Sequence, residues 1–340
     1  MAAAILMSSD FECLTAVEGD CDREANGLAA QAFVEAVGRL VPSLPGPSGI
    51  FTPYGRVYID AGQHIELALR ECGSPYEFAL LTEQANMLAA RATELLANTG
   101  TRLLLTNNVH GGLLMARNQA TWGSHENYLV DRHPRSFGPE ILPFLSTRVY
   151  GGAGGVDYAS GDFLAGVRAN YMTLDAGGHT THDRALHSLG REEHHMGASP
   201  NRYRYHLLLG DGHSSQWNCA IHYGATALAL KAIDFDRSLV HRLPSLPTNG
   251  DNPWVKITHN YNRLARAGER LRVAAVVAEV QRVIWMARAA MPIPCPIRPN
   301  GSDGCSTTGR QCSLRLSATT RSGSQLASIR GSSMPCFRKC

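Results

Sequence analysis

Sixteen consecutive residues, Arg56 to Glu71, carry two arginines, one phenol, one imidazole and three carboxylates. Arg56-Val-Tyr-Ile-Asp60 alternates polar and apolar, the period-2 signature of a half-buried strand. Val57 and Ile59 share one face, and Arg56, Tyr58 and Asp60 share the other. Gly62 breaks the run. His64 and Glu66 again sit two apart, so a second short strand points both the same way. Carboxylates this dense repel unless a cation sits between them. A hard divalent ion with oxygen ligands is the natural partner, and Mg2+ suits carboxylate-rich sites that also hold phosphates. A solvated acidic loop is the alternative reading of the same stretch.

Three further stretches carry chemistry. Ile5–Cys13 reads as a first strand with Asp10 and Glu12 on one face. In Thr121–Val130, read as a strand, Glu126 and Tyr128 face one way and His125 and Asn127 the other. Such a row of polar groups is costly in a core unless satisfied or functional, and a buried structural role remains open. Tyr203–Leu209 is a strand with Arg204 and His206 on one face, preceded by Arg191-Glu-Glu-His-His195. The histidines match neither H-E-x-x-H nor a Cys/His knuckle, which argues against zinc. The glycines at 151–155 lack the Lys-Ser/Thr of a P-loop and read as a turn.

These groups need a scaffold. Apolar residues at helical spacing mark helices over Asn26–Leu40, Asn218–Asp234 and Glu269–Ala290. Cys72–Gly100 is the strongest helix, with Ser74 as N-cap, Pro75 in the first turn, Glu77 completing a capping box and Gly100 as the stop. Pro139–Val149 is helical in part, and Arg102–Thr106 reads as a buried strand. Val41–Pro53 reads as a Pro/Gly/Ser linker. Strands bearing acids and arginines, with helices between, suit an antiparallel sheet with helices packed on one face, an α+β fold. Acids on adjacent strands can hold Mg2+, and arginines can grip phosphate oxygens bidentately. That is equipment for phosphoryl transfer from a nucleotide. A carboxylate left free of metal could act as general base.

Composition bounds the rest. The 340 residues are 44% apolar and 18% charged, as in a soluble globular chain large enough for a sizeable core. The net charge of +3 is unevenly spread, because residues 291–340 hold seven Lys and Arg against a single acid, Asp303. The remainder is therefore acidic, and the basic pI is no nucleic-acid signal. No run reaches the ~20 apolar residues of a membrane span. Cys13, Cys21, Cys72 and Cys219 lack paired spacing, which suits the cytoplasm. After Met291 periodicity disappears, and Cys, Arg, Ser and Pro dominate. That marks a domain over 1–290 followed by a tail, 291–340, that is disordered or read in a shifted frame.

Four blocks carry a family resemblance. Arg56-Val-Tyr-Ile-Asp60-x3-His64-x-Glu66-x4-Glu71-Cys72 is similar to R-L-Y-[LV]-D-x3-H-P-E-Y-x-x-P-E-C. Gly123-Ser-His-Glu-Asn-Tyr-Leu-Val130 is similar to G-x-H-E-N-Y-L, Arg191-Glu-Glu-His-His195 to R-D-E-P-H, and Tyr203-Arg204-Tyr-His206-Leu-Leu-Leu-Gly-Asp211 to R-R-L-H-V-x-x-G-D. In this order they resemble the Pup ligase and Pup deamidase family, glutamine-synthetase-like carboxylate–amine ligases. The resemblance runs from about Leu6 to Ala290. It implies ATP and Mg2+, a Pup-like modifier and lysine-bearing protein substrates, with Asp60 as proton acceptor. It implies Mg2+ positions at Tyr58 and Glu66, with Asp10 in the first-strand metal position; Glu12 and Glu126 join the metal candidates as acids on adjacent strands. Arg56 matches an ATP contact, and Arg191, Arg204 and His206 line the same cleft. Ile65 and Leu67 replace a Pro and a Tyr, Leu69 an ATP-contacting Thr, and Arg70 a Pro. The family's small C-terminal domain, with a Trp against the nucleotide, is replaced here by the tail. Ligase is the expected activity. Deamidase is the alternative, since the Gly-Ser-His-Glu-Asn-Tyr block is closer to that branch, and an inactive Pup-binding or nucleotide-binding chain is the third reading.

Overall fold

The computed structural model describes residues 5–17, 23–60, 62–107, 121–149, 154–156, 163–180, 182–190, 202–213, 215–236 and 251–262. All belong to the first of two units into which the chain divides, Met1–Pro294. The expected helix over 269–290, the block at 191–195 and the tail after 290 lie outside the described residues.

The chain opens with strand β1 (Met7–Val17) and helix α1 (Arg23–Leu40). Residues 41–53 are not a linker. They form two short strands, β2 (Leu44–Gly46) and β3 (Gly49–Thr52), paired as an antiparallel hairpin. The Pro and Gly residues that suggested a linker shape its edge and turn, where Ser48 takes a left-handed φ of 54°. Strands β4 (Gly55–Ile59) and β5 (Ile65–Leu69) follow, and then the long helix α2 (Pro75–Ala97). Pro75 begins α2 as its fixed φ favours. The capping box does not form. Ser74 makes no side-chain cap bond, and Glu77 instead accepts from Arg70 at 3.0 Å. An ion pair across the β5–α2 connection has displaced the local cap.

Strands β6 (Leu103–Asn107) and β7 (Ser124–Val130) come next, followed by the one-turn helix α3 (Leu142–Leu145). Two small two-stranded pieces follow: β8 (Gly155–Val156) with β9 (Phe163–Leu164), and β10 (Leu174–Gly177) with β11 (Ala185–Ser188). Strand β12 (Tyr203–Leu207) and helices α4 (Gln216–Phe235) and α5 (Pro253–Asn262) complete the described fold. Ser215 caps α4, its hydroxyl accepting from the Asn218 N–H at 3.2 Å.

The main sheet runs β12-β7-β1-β5-β4-β3-β2, with β6 also paired to β1, and all these pairings are antiparallel. The 11-residue β1 is its spine. Its first half pairs with β7, its second half with β6, and β5 lies along its other edge. Because facing partners share a side, the register sorts the side chains. Phe11, Val57, Leu67, Tyr128 and Tyr205 turn toward helices α1, α2 and α4 and join one apolar core with Phe33, Phe78 and Tyr223. This is the expected α+β arrangement, with helices on one face. The opposite face carries the polar residues. Among the described residues no helix is long and apolar enough to cross a membrane.

Candidate active site

The polar face is assembled from five strands. Register places Asp10 beside Ala68 and His125, Glu12 beside Glu66, Tyr58 beside Glu66, Arg56 beside Ala68, and His206 beside Asn127. Asp10, Glu12, Arg56, Tyr58, Glu66, Arg204 and His206 therefore share one side, although 196 positions separate the ends of that set in sequence. Asp60 stands just past β4, in the turn to β5. That turn is closed by the Asp60 N–H on the His64 carbonyl at 3.0 Å and the Gln63 N–H on the Asp60 carbonyl at 2.9 Å.

The acids are compensated unequally. Asp10 accepts from Arg204 at 2.9 Å and from the Asn127 amide at 3.3 Å. Asn127 in turn accepts from Arg204 at 2.6 Å and contacts His206 at 2.9 Å. Glu12 accepts from the Gly123 backbone N–H and lies 3.8 Å from His125 Nε2. Burial pushes the Glu12 carboxyl up, but His125, Arg168, the Gly123 N–H and His64 outweigh it and hold it below the ordinary value. Glycine at 123 makes room for this approach, since a Cβ there would lie 2.4 Å from His125 Nε2 and 3.0 Å from Arg168 Nη2 and would displace them.

Glu66 has the opposite fate. It is only 6% exposed. Burial raises its carboxyl to about 8, helped by the charges of Asp10, Glu12 and Asp60 and only partly offset by a hydrogen bond from Tyr58. Burial, the charge and hydrogen bond of Glu66, and the charges of Asp10 and Asp60 push the Tyr58 phenol well up, so it stays a neutral donor. Donor atoms of Asp60, His64 and Glu66 all lie within 4.8 Å of one another. Two carboxylates, an imidazole and a like-charged surround fit a divalent cation. Glu66 and His64 would hold it and it would supply charge neutralisation, with Asp60, 42% exposed at the rim of the group, left free of metal.

An open groove of about 470 Å³ continues along this face. Asp10, Arg56, Ala68, Arg70, Asn127 and Arg204 line part of it. Arg56 donates to the Pro47 carbonyl and stacks over the Tyr58 ring at 4.2 Å. One arginine from β4 and one from β12 thus border a cleft large enough for a drug-sized ligand.

Glu126 is the residue that sequence reasoning misplaced. It pairs with Ser9, on the helix side of the sheet, and is fully buried. Both its oxygens bind Arg148, one at 2.6 Å, Tyr128 donates to it at 2.6 Å, and His222 lies 3.0 Å away. Those partners oppose burial and hold its carboxyl well below the ordinary range. A Mg2+ role for Glu126 does not fit this geometry, because the sheet lies between it and the other acids. Strand alternation puts Glu126 opposite His125 and Asn127, and the register places those two, not Glu126, on the side of Asp10 and Glu66. Arg191 lies outside the described residues.

Arg168 is the main residue that sequence reasoning missed. It is fully buried in a 3-10 turn, in a stretch without periodicity. It donates to the Thr121 carbonyl at 2.8 Å and the Leu208 carbonyl at 3.2 Å, and touches His125 at 3.2 Å. Burial lowers it to about 10, so it stays charged at neutral pH behind Glu12. His222 did leave a signal. It shares the helical spacing of Thr226, Ala229 and Ile233 on the buried stripe of α4.

Comparison with known proteins agrees with this layout. The model of the family described as Pup-ligase protein matches residues 10–263. A Pup–protein ligase of Corynebacterium diphtheriae is 30% identical over 223 residues, covering 63% of this chain and 45% of the relative. A Pup–protein ligase of Brachybacterium faecium is 32% identical over 254 residues, covering 66% and 50%. The chain spans about half the length of the curated relatives it matches. Among solved structures, the complex between the prokaryotic ubiquitin-like protein Pup and its ligase PafA aligns with TM-score 0.56 at 21% identity, over 84% of this chain and 63% of that one. That likeness speaks for the fold, and the family match covers the strands that carry the acidic face. The chain belongs to the Pup-ligase protein family.

Proposed function

We propose that this chain is the catalytic part of an ATP- and Mg2+-dependent Pup–protein ligase. It would join the side-chain carboxylate of the C-terminal Glu of a Pup-like modifier to a substrate lysine. The observation that carries the reading is the joining of an under-compensated acid cluster and an arginine-bordered groove on one sheet face, within the residues of the family match.

The chemistry runs in two transfers. A carboxylate oxygen of the modifier takes the terminal phosphoryl group of ATP, and ADP leaves. The lysine amine then forms a C–N bond at that carbonyl, phosphate departs, and the amine proton goes to a base. Arg56 and Arg204 border the groove where a triphosphate would lie, and Arg forks suit phosphate oxygens. Asp10 holds Arg204 in place through the 2.9 Å ion pair. Asp60 is the base in this reading. Its side chain is 42% exposed at the edge of the cluster, where an incoming amine has access. Glu66 and Tyr58 support the cation side. Bringing carboxylate and amine together supplies much of the rate enhancement by orientation alone.

The test uses the full chain with ATP, Mg2+, a lysine-bearing acceptor and a Pup-like protein ending in Glu or in Gln. Conjugates from the Glu form alone support the ligase. Ammonia released from the Gln form without conjugation would replace it by the deamidase. Calorimetry that detects no ATP binding in the presence of Mg2+ would overturn both.

A further inference from the structure

We propose that the outward face of helices α2 and α4 is the contact through which two copies of this chain form a dimer, each copy's helix pair packed on the other's.

The two helices run antiparallel on the helix side of the sheet. At the start of α2, Pro75 rests on Gly224, where a Cβ would come within 3.3 Å of the proline ring. The Phe78 and Tyr223 ring centroids are 4.3 Å apart, and farther along α2 the Thr82 hydroxyl lies 3.8 Å from Cys219 Sγ. Each helix turns one apolar stripe inward to the core and carries a second on its opposite side. On α2 the outer stripe is Tyr76, Leu80 and Met87. On α4 it is Trp217, Ile221, Leu228 and Phe235. Their spacings of four and seven residues keep each set on one side of its helix. Tyr76 and Trp217 are each 65% exposed, and of the others only Leu228 is half-buried.

A helix that is apolar all round is ordinarily covered all round. α4 meets that description, with no Asp, Glu, Lys or Arg from Gln216 to Leu230. Taking roughly 150–250 Å² for a whole aromatic side chain and less for an aliphatic one, the six exposed side chains leave on the order of 600 Å² of apolar surface open. The largest such patch on a monomer is about 300–600 Å². With the half-buried Ala225 and Leu228 and a polar rim, the face approaches the ~800 Å² per partner of a stable interface. A two-fold axis brings the same patch of both copies together, so apolar stripe meets apolar stripe. Within the stripes only Glu83 is charged. The remaining charges stand at the ends, Arg91 and Glu94 on α2 and Lys231 and Asp234 on α4, one of each sign per end, so two copies meet without a like-charged block. The groove and the acids occupy the other side of the sheet. A dimer joined through its helices therefore leaves both grooves open, and a modifier or protein substrate approaches from the side away from the contact.

The test is sedimentation velocity of the full chain, under reducing conditions so that cysteines do not link copies. Over a range of about 1 to 100 μM, wide enough to bracket a micromolar dissociation constant, the chain should pass from monomer to dimer. Trp217→Glu and Leu80→Glu should each raise the dimer dissociation constant about thirtyfold or more, the loss expected for an anchor near the centre of an interface. Circular dichroism and melting temperature should stay unchanged, because both side chains face outward. Leu44→Glu, on the exposed strand β2 at the edge of the sheet, should leave the dimer intact. If the glutamate variants fail to fold, oxidative footprinting of the wild-type chain decides instead, since oxidation of Trp217 and Met87 must fall as the dimer forms. A chain that stays monomeric throughout, or an assembly of another size, overturns the proposal. So does a dimer that survives in folded Trp217→Glu and Leu80→Glu, or one that Leu44→Glu breaks equally.

Discussion

Glu66 and Glu126 lie on opposite faces of one sheet, both almost fully buried, and their carboxyls are driven in opposite directions. Glu126 meets Arg148, His222 and the Tyr128 hydroxyl, and is held well below the ordinary range. Glu66 meets Asp10, Glu12 and Asp60, and is raised to about 8. Burial is common to the two, so burial does not distinguish a structural acid from a functional one. What differs is whether the protein itself supplies the counter-charge. On the helix side it does, and the result is a closed ion pair that ties β7 to the segment after α3. On the open side it does not, and the missing charge is what an incoming cation would provide.

Four measurements bear on the contrast between these two carboxylates. The largest effect is expected at Asp60. Asp60→Asn should lower conjugation by about 10²- to 10⁴-fold, the range for loss of a general base, with an unchanged melting temperature. Full turnover in that variant would move the base elsewhere. Next is the closed pair. Arg148→Met leaves Glu126 buried without its cation and should cost about 3–5 kcal/mol in chemical denaturation, whereas Arg148→Met with Glu126→Leu should recover much of that loss. A single variant as stable as wild type would show the pair to be dispensable.

The third measurement concerns pH. The Glu66 carboxyl is raised in the fold, so without metal its contribution to stability is full below the ordinary value of 4.5 and is lost as pH rises through about 8. A bound divalent cation favours the ionised form and reverses this trend. Mg2+ or Mn2+ should therefore raise the melting temperature more at pH 8 than at pH 6. Equal shifts would argue that Glu66 does not hold the ion. The smallest effect is at Gly123. Gly123→Ala crowds His125 and Arg168 and should cost about 1–3 kcal/mol while weakening the fixed position of Glu12.

Much of this was legible in residue order. Alternation located β1, β4, β7 and β12, and helical spacing located α1, α2 and α4, because each element buries one side at its own period. The β2–β3 hairpin was not legible. Its strands are 3 and 4 residues long and rich in Pro and Gly, too short for a period to register. The cap of α2 was misread for a different reason. Glu77 had a distant partner in Arg70, and an ion pair formed by chain folding outweighed a local preference. Within the site, the acids and arginines were visible by type. Arg168 and Arg148 were not, since an arginine in an irregular segment has no pattern to mark it as buried.

By itself the sequence determined which residues could do chemistry and which of them share a strand face, because alternation along a strand is a local geometric fact. The folded sheet settles which acids gather on one face and which carboxylates remain uncompensated there. Those outcomes depend on strand register and on cations arriving from residues 22 to 194 positions away. Glu66 and Glu126 look alike in the sequence, and their neighbours across the sheet give Glu126 a closed set of counter-charges and leave Glu66 among other acids.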